Sequence, residues 1–176
     1  MSSTAAGKTT EGPAAVPSDL RGAMSRFATG VVVLSVGGEN LHAMTANAFS
    51  SVSLAPPTVL CCVSHSAVMH KAIMSERRFG VSVLGAEHEA VARHFADKSR
   101  PLGAAQFDGH AFGPGPVSGA PLLDGALAWI ECELAEFHDS GDHSIFIGDV
   151  VGAWTASEAS ALLFFGGRFQ QTSAGR

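Results

Sequence analysis

The sequence predicts a mainly β protein, an antiparallel barrel with short helices on its outside. Two observations carry that prediction. At least six apolar runs of strand length follow one another, most of them joined by stretches short enough to make hairpins. Helical spacing of apolar residues is confined to three short segments.

Taken in order, residues 1–17 are mostly Ala, Ser, Thr, Gly and Pro with little to bury, and they read as a disordered tail. Ser18 is a candidate N-cap for a helix over Asp19–Ala28, with Leu20, Met24 and Phe27 on one face. Val31–Val36 and Leu41–Ala48 are strands joined through Gly37–Asn40. A polar stretch follows, and Pro56-Pro57 interrupts ladder pairing ahead of the strand Thr58–Val63. Ser66–Glu76 reads as a helix with Val68, Met69, Ala72 and Ile73 inward. Phe79–Leu84 is a strand, and Glu87–Asp97 a helix with Val91, Ala92 and Phe95 inward.

Lys98–Ala120 is rich in Gly and Pro and reads as a loop, long enough to suggest a function. Strands Ala126–Phe137 and His143–Trp154 flank the turn Asp139–Asp142. In the first, Ala128, Ile130, Cys132 and Leu134 alternate with Trp129, Glu131 and Glu133, which predicts one wet face. The second has no polar face and predicts burial on both sides, against a core and a second subunit. Leu162–Phe165 and Gly167–Gln170 supply a last short strand. The expected organisation is one domain over residues 18–171, with residues 172–176 as a tail.

Hydrophobic residues make up 46% of the chain and charged residues 15%, an apolar balance that again predicts a homodimer or similar assembly. The net charge of −5 and the scattered Lys and Arg argue against a nucleic-acid partner. Three cysteines, two of them adjacent (Cys61 and Cys62), form no disulfide framework and fit a reducing compartment. No apolar run is long enough for a membrane span and no secretory h-region is recognisable, so a cytoplasmic location is the expectation.

The most informative segment is Met44–Pro57. It sets Thr45, Asn47, Ser50, Ser51 and Ser53 among Met44, Phe49, Val52 and Leu54, without a charge. Neutral donors and acceptors among apolar anchors suit a large, flat, partly polar ligand such as a cofactor ring. Other chemistries lack their patterns. No Gly-rich dinucleotide turn or phosphate loop is present, and the serines lie in no nucleophile elbow. His88 and His94 are six apart and diverge by about 120° on a helix, while His65 and His70 have no acidic neighbour in sequence. No metal site is expected from these spacings, and no side chain stands out as an acid, base or nucleophile.

Two short motifs keep two readings each. Gly141-Asp142-His143 is a turn, or a turn that presents an imidazole to a ligand at the barrel rim. Ser64-His65-Ser66 is a helix cap, or the start of a helix whose free amides hold a phosphate near His65 and Lys71.

Together these segments resemble the short-chain flavin reductase family, the reductase components of two-component flavin monooxygenases. The matching pieces are Phe27-Ala-Thr-Gly-Val-Val-Val33, the run His42–Pro57, Gly125-Ala-Leu-Ala128 with Glu131-Cys132, Gly141-Asp-His143 and Phe165-Gly-Gly-Arg-Phe169, in family order across residues 20–170. The resemblance implies a flavin-binding split β-barrel, usually a homodimer, that uses NADH or NADPH to reduce FAD or FMN. It implies that reduced flavin reaches a partner monooxygenase by diffusion. It assigns Met44, Thr45, Ala46, Asn47, Ala48 and Ser51 to the isoalloxazine side, and Cys62, Val63, Ser64, His65 and Ser66 to the ribityl chain and phosphate. It adds Ala96, Asp97 and Lys98 as further cofactor contacts, and His143 and Phe169 as nicotinamide contacts. The chain departs from the family pattern at Val68, where Ser or Thr is frequent, at Phe169, where Tyr is frequent, and in the longer stretch Arg100–Ala105. The alternative is a flavin-binding module that stores or carries FMN without rapid nicotinamide turnover.

Overall fold

A computed structural model describes residues 19–156 and 159–172. The expected N-terminal tail, the Ser18 cap and residues 173–176 lie outside these. The described chain is mainly β. Helix α1 (Leu20–Ser25) is capped by the Asp19 carboxylate, which accepts from the Gly22 amide at 3.0 Å. It ends before Ala28 and buries none of its residues. Strand β1 (Thr29–Gly30) follows, then β2 (Val32–Val36), β3 (His42–Ala46), β4 (Phe49–Leu54) and β5 (Pro57–Ser64). Helix α2 (Val68–Glu76), strand β6 (Arg78–Val83) and helix α3 (Glu89–Ala96) come next. Two short strands, β7 (Phe112–Pro114) and β8 (Pro121–Leu123), precede the long hairpin β9 (Ala128–Ser140) and β10 (His143–Thr155). The hairpin β11 (Leu162–Phe165) and β12 (Arg168–Gln171) closes the list.

Seven strands form one antiparallel sheet in the order β3-β2-β6-β9-β10-β5-β4. Its two edges, β3 and β4, are consecutive in the chain and separated only by Asn47 and Ala48. The Cα atoms of Ala46 and Phe49 can therefore be no more than about 11 Å apart. A sheet whose opposite edges are tied this closely has to curl. No ladder joins β3 to β4 among the described residues, so the sheet is strongly bent but open.

Strand β2 is apolar except for the buried Ser35, which donates to the Pro121 carbonyl, and its surroundings explain that composition. Val32, Leu34 and Val36 enter one core with Met69, Ala72 and Ile73 of α2. Val31 and Val33 enter a second core with Ala92 and Phe95 of α3, Leu123 and Leu162. The strand is covered on both faces, with α2 in one core and α3 in the other.

Several expectations are corrected. The polar stretch after β3 contains β4, whose Ser50 and Ser51 are exposed and whose Phe49 packs on the first core. Pro57 does not interrupt the ladder: it opens β5 in register with Leu54. The 98–120 segment holds a 3-10 turn, Gly103–Phe107, and strand β7. The last segment is a two-stranded hairpin, not one strand, and Thr172 still exchanges hydrogen bonds with Ala161. Strand β10 buries Ser144, Phe146 and Gly148, but Val151 and Trp154 stay exposed in the single chain.

The predicted wet face of β9 fails at Glu131, which is fully buried. Its carboxylate accepts from the Val117 and Ser118 amides (3.2 and 2.6 Å) and from the Ser118 hydroxyl at 2.5 Å. A buried carboxylate persists only with such partners, and here it organises the turn between β7 and β8. Glu131→Ala strands those amides, and urea unfolding is expected to show a loss of about 3 kcal/mol.

Candidate functional site

The bent sheet leaves a cleft of about 510 Å³ at its split edge. One wall is the end of β3 and the crossing to β4, from Met44 through Thr45, Ala46 and Asn47 to Ala48. The end of β5 supplies Cys62, Val63 and Ser64, and the start of α2 supplies Ser66, Ala67 and Val68. Phe95, Ala96, Lys98, Arg100 and Leu102 close it from the end of α3, and His143 stands at the start of β10. The register of β10 on β5 pairs His143 with Ser64, which puts the Gly-Asp-His turn beside the α2 entrance.

Twelve residues assigned from the sequence thus meet in one cleft: Met44–Ala48, Cys62–Ser64, Ser66, Ala96, Lys98 and His143. Four do not line it. Ser51 is exposed on β4, beside an irregularity in the β4–β5 pairing between Ser51 and Ser53. His65 points away, to Ser144 and Asp139. The Asp97 carboxylate is occupied by the Ser99 amide and hydroxyl, both at 2.8 Å. Phe169 lines a smaller adjoining hollow with Phe164, Val31 and Asn47, under the Arg93 guanidinium.

The polar groups of the cleft are largely neutral. The Thr45 hydroxyl donates to the Ala92 carbonyl at 2.7 Å, so it fastens β3 to α3 and offers a ligand only an acceptor. The Asn47 amide donates to Thr29 Oγ1 at 3.2 Å, leaving its carbonyl as the remaining acceptor. Ser66 does not cap α2. The N-cap is Ala67, whose side chain makes no capping bond, while the Ser64 and Ser66 hydroxyls pair at 3.0 Å. An uncapped helix start that opens on a cleft leaves amides aimed at an anion. His143 Nδ1 lies 2.7 Å from the Asp142 carboxylate, whose own pKa is held below the usual range by that bond.

His42 and Arg100 were not anticipated. His42 is buried, with Nε2 3.2 Å from an Arg100 nitrogen, and Arg100 also donates to the Asp97 and Ala43 carbonyls. Its guanidinium sits over the Phe95 ring at 5.7 Å. His42 Nδ1 and Arg100 Nε are buried without a hydrogen-bond partner. Burial, reinforced by the Arg100 charge, lowers the His42 pKa to about 4. Only the unusual length of the Arg100–Ala105 stretch hinted at this pair.

Residues 24–173 match the family described as flavin reductase like domain. The chain belongs to that family. Among curated relatives, an NADH-dependent FAD reductase of Streptomyces globisporus is 50% identical over 154 residues, covering 86% of this chain and 84% of its own. An NADH-dependent flavin reductase of Pseudomonas fluorescens is 36% identical over 158 residues, covering 85% and 86%. Among solved structures of the flavin reductase family, the reductase component of a bacterial two-component tryptophan halogenase superposes with a TM-score of 0.83 at 48% identity, covering 86% of this chain and 95% of that one. The Streptomyces globisporus NADH:FAD oxidoreductase in complex with NAD and FAD fragments gives 0.82 at 45%, covering 88% and 91%.

Two measurements follow from the chemistry of the cleft. Burial pushes the Cys61 and Cys132 thiols up to about 12, whereas Cys62 lines the cleft. A thiol reagent is therefore expected to label one cysteine rapidly in the native protein, identified as Cys62 by peptide mass. The second concerns His42, whose ring is neutral when folded and titrates near 6.5 when unfolded. Stability should fall as pH drops from about 6.5 to about 4 and level off below, by about 3 kcal/mol in all. Urea midpoints across that range should show a smaller pH dependence in His42→Asn than in the unaltered chain.

Proposed function

We propose that this chain is an NAD(P)H:flavin oxidoreductase that reduces FAD or FMN and supplies reduced flavin to a partner monooxygenase. The observation that carries the reading is the meeting, in one cleft, of a neutral wall, an uncapped helix start and a histidine at the rim. The relatives named above act on FAD or flavin with NADH, which favours NADH and FAD here. The halogenase reductase and the 4-hydroxyphenylacetate 3-monooxygenase reductase components of Pseudomonas aeruginosa and Salmonella typhimurium support a partner oxygenase. The curled open sheet supports a split β-barrel over residues 18–171. The exposed apolar residues of α1 and β10 support a homodimer.

Bound flavin and reduced nicotinamide supply the hydride transfer between their own rings. The protein holds and orients them. Thr45 and the Asn47 carbonyl would offer acceptors to the polar part of the isoalloxazine, with Met44, Ala46 and Ala48 as its other contacts. Ser64 and the first amides of α2 would hold phosphate, with Val63 and Cys62 contacting the ribityl chain and Lys98 adding positive charge. Asp142 holds the His143 ring through Nδ1, which leaves Nε2 as an acceptor for a nicotinamide carboxamide while the ring is neutral. None of these groups has to move a proton, in keeping with a cleft that has no paired acid and base.

Purified protein with NADH and FAD under air is expected to consume NADH in a flavin-dependent manner, followed by the nicotinamide absorbance. No flavin-dependent loss with NADH or NADPH leaves the storage module. His143→Ala should raise the nicotinamide KM by on the order of tenfold, one lost hydrogen bond, with little change in flavin affinity. An equal loss of flavin binding removes His143 from the nicotinamide role.

A further inference from the structure

The sequence gives His65 and His70 no acidic partner, but the fold does. Strand β9 ends at Asp139 and Ser140, and β10 returns along β5 with Ser144 opposite Val63. The β9–β10 hairpin thereby lays Asp139 over the corner between β5 and α2. His65 sits in that corner and His70 in the first turn of α2. Five residues apart on one continuous helix they would diverge, but His65 precedes the helix, so the two rings meet edge to face with centroids 5.2 Å apart. One ligand atom from each of His65, His70 and Asp139 lies within 4.8 Å of the other two.

We propose that His65, His70 and Asp139 form a divalent metal site for a borderline ion, with Zn²⁺ the best match. The His65 Nε2 to Asp139 Oδ1 distance is 3.3 Å. That is the ligand–ligand edge of a tetrahedron built on bonds of about 2.0 Å, near 3.3 Å. Two imidazole nitrogens and one carboxylate are donors that borderline ions prefer, whereas Ca²⁺ and Mg²⁺ favour all-oxygen shells. The three donors come from three different segments and converge on one hydroxyl in the metal-free chain. The buried Ser144 hydroxyl donates to Asp139 Oδ1 at 2.6 Å and lies 3.1 Å from His65 Nε2 and 2.8 Å from His70 Nε2, contacts that a bound ion replaces with bonds to the same three atoms. Asp139 and His65 are open to solvent on the other side, so a fourth position remains for water, the arrangement of an accessible zinc site.

The site is separate from the cleft yet one residue behind its wall. Ser64 and Ser66, on either side of His65, face the cleft, as does His143 beside Ser144. The His65 amide already donates to the Asp142 carbonyl at 3.0 Å, so an ion here would tie the α2 entrance to the Gly-Asp-His turn.

The test is equilibrium dialysis of the full chain against Zn²⁺ in chelator-free buffer. One ion per chain is expected, and His70→Gln and Asp139→Asn should each weaken uptake at least about tenfold. His138→Gln on the same hairpin and Cys62→Ala should leave uptake unchanged. Co²⁺ in place of Zn²⁺ should give visible ligand-field bands without a thiolate charge-transfer band. Absence of stoichiometric uptake overturns the proposal, as does uptake of full affinity in both ligand variants. Asp139 is exposed, so Asp139→Asn carries the test alone if His70→Gln does not fold. The readout is metal binding, and it stands whether or not the chain reduces flavin.

Discussion

Asn47 and Ala48 carry the backbone from one edge of a seven-stranded sheet to the other, and most of the molecule follows from how short that passage is. A flat sheet of seven strands would separate its edges by about 29 Å, more than twice the reach of that connection. The strands therefore bend until β3 and β4 stand near each other without pairing, and the opening between them is the cleft. The cores hold the bend: α2 packs with Val32, Leu34 and Val36 in one, and α3 with Val31 and Val33 in the other. The start of α2 and the end of α3 then both border the opening. Cofactor contacts in the flavin reductase reading come from these ends of elements and not from their middles.

The second determinant is the register of β10 on β5. It pairs His143 with Ser64, and it also delivers Asp139 and Ser144 to the corner behind the cleft. A slip of one residue would exchange the buried Ser144 and Phe146 for the half-buried Ile145 and Ile147, so the buried face specifies the pairing.

Much of this was legible in the chain because it is local. Apolar runs of strand length marked β2, β5, β6, β9 and β10, and the uncharged Met44–Ala48 segment marked a wall of the cleft. What was not legible depends on partners distant in sequence. Glu131 looked solvated because the turn at Val117 and Ser118 that satisfies it lies across the β7–β8 hairpin. Strand β4 read only as a polar stretch because it is rich in serine, and Ser50 and Ser51 face water. His42 and Arg100 acquire their burial from each other and from α3, 58 residues apart as they are. Asp139 joins His65 only once the hairpin is registered. Serine at position 66 looked like a cap, yet the N-cap falls one residue later, on Ala67, whose side chain cannot cap.

Asn47 borders more than the main cleft. It also lines the hollow under Phe169 and a third groove shared with Phe27 and Met24 of the N-terminal segment. The residue acts as a septum with three rooms around it. A kinetic defect in an Asn47 variant thus has three structural origins, and comparing it with variants at Ala48 and at Phe27, each bordering one of those rooms, is what separates them.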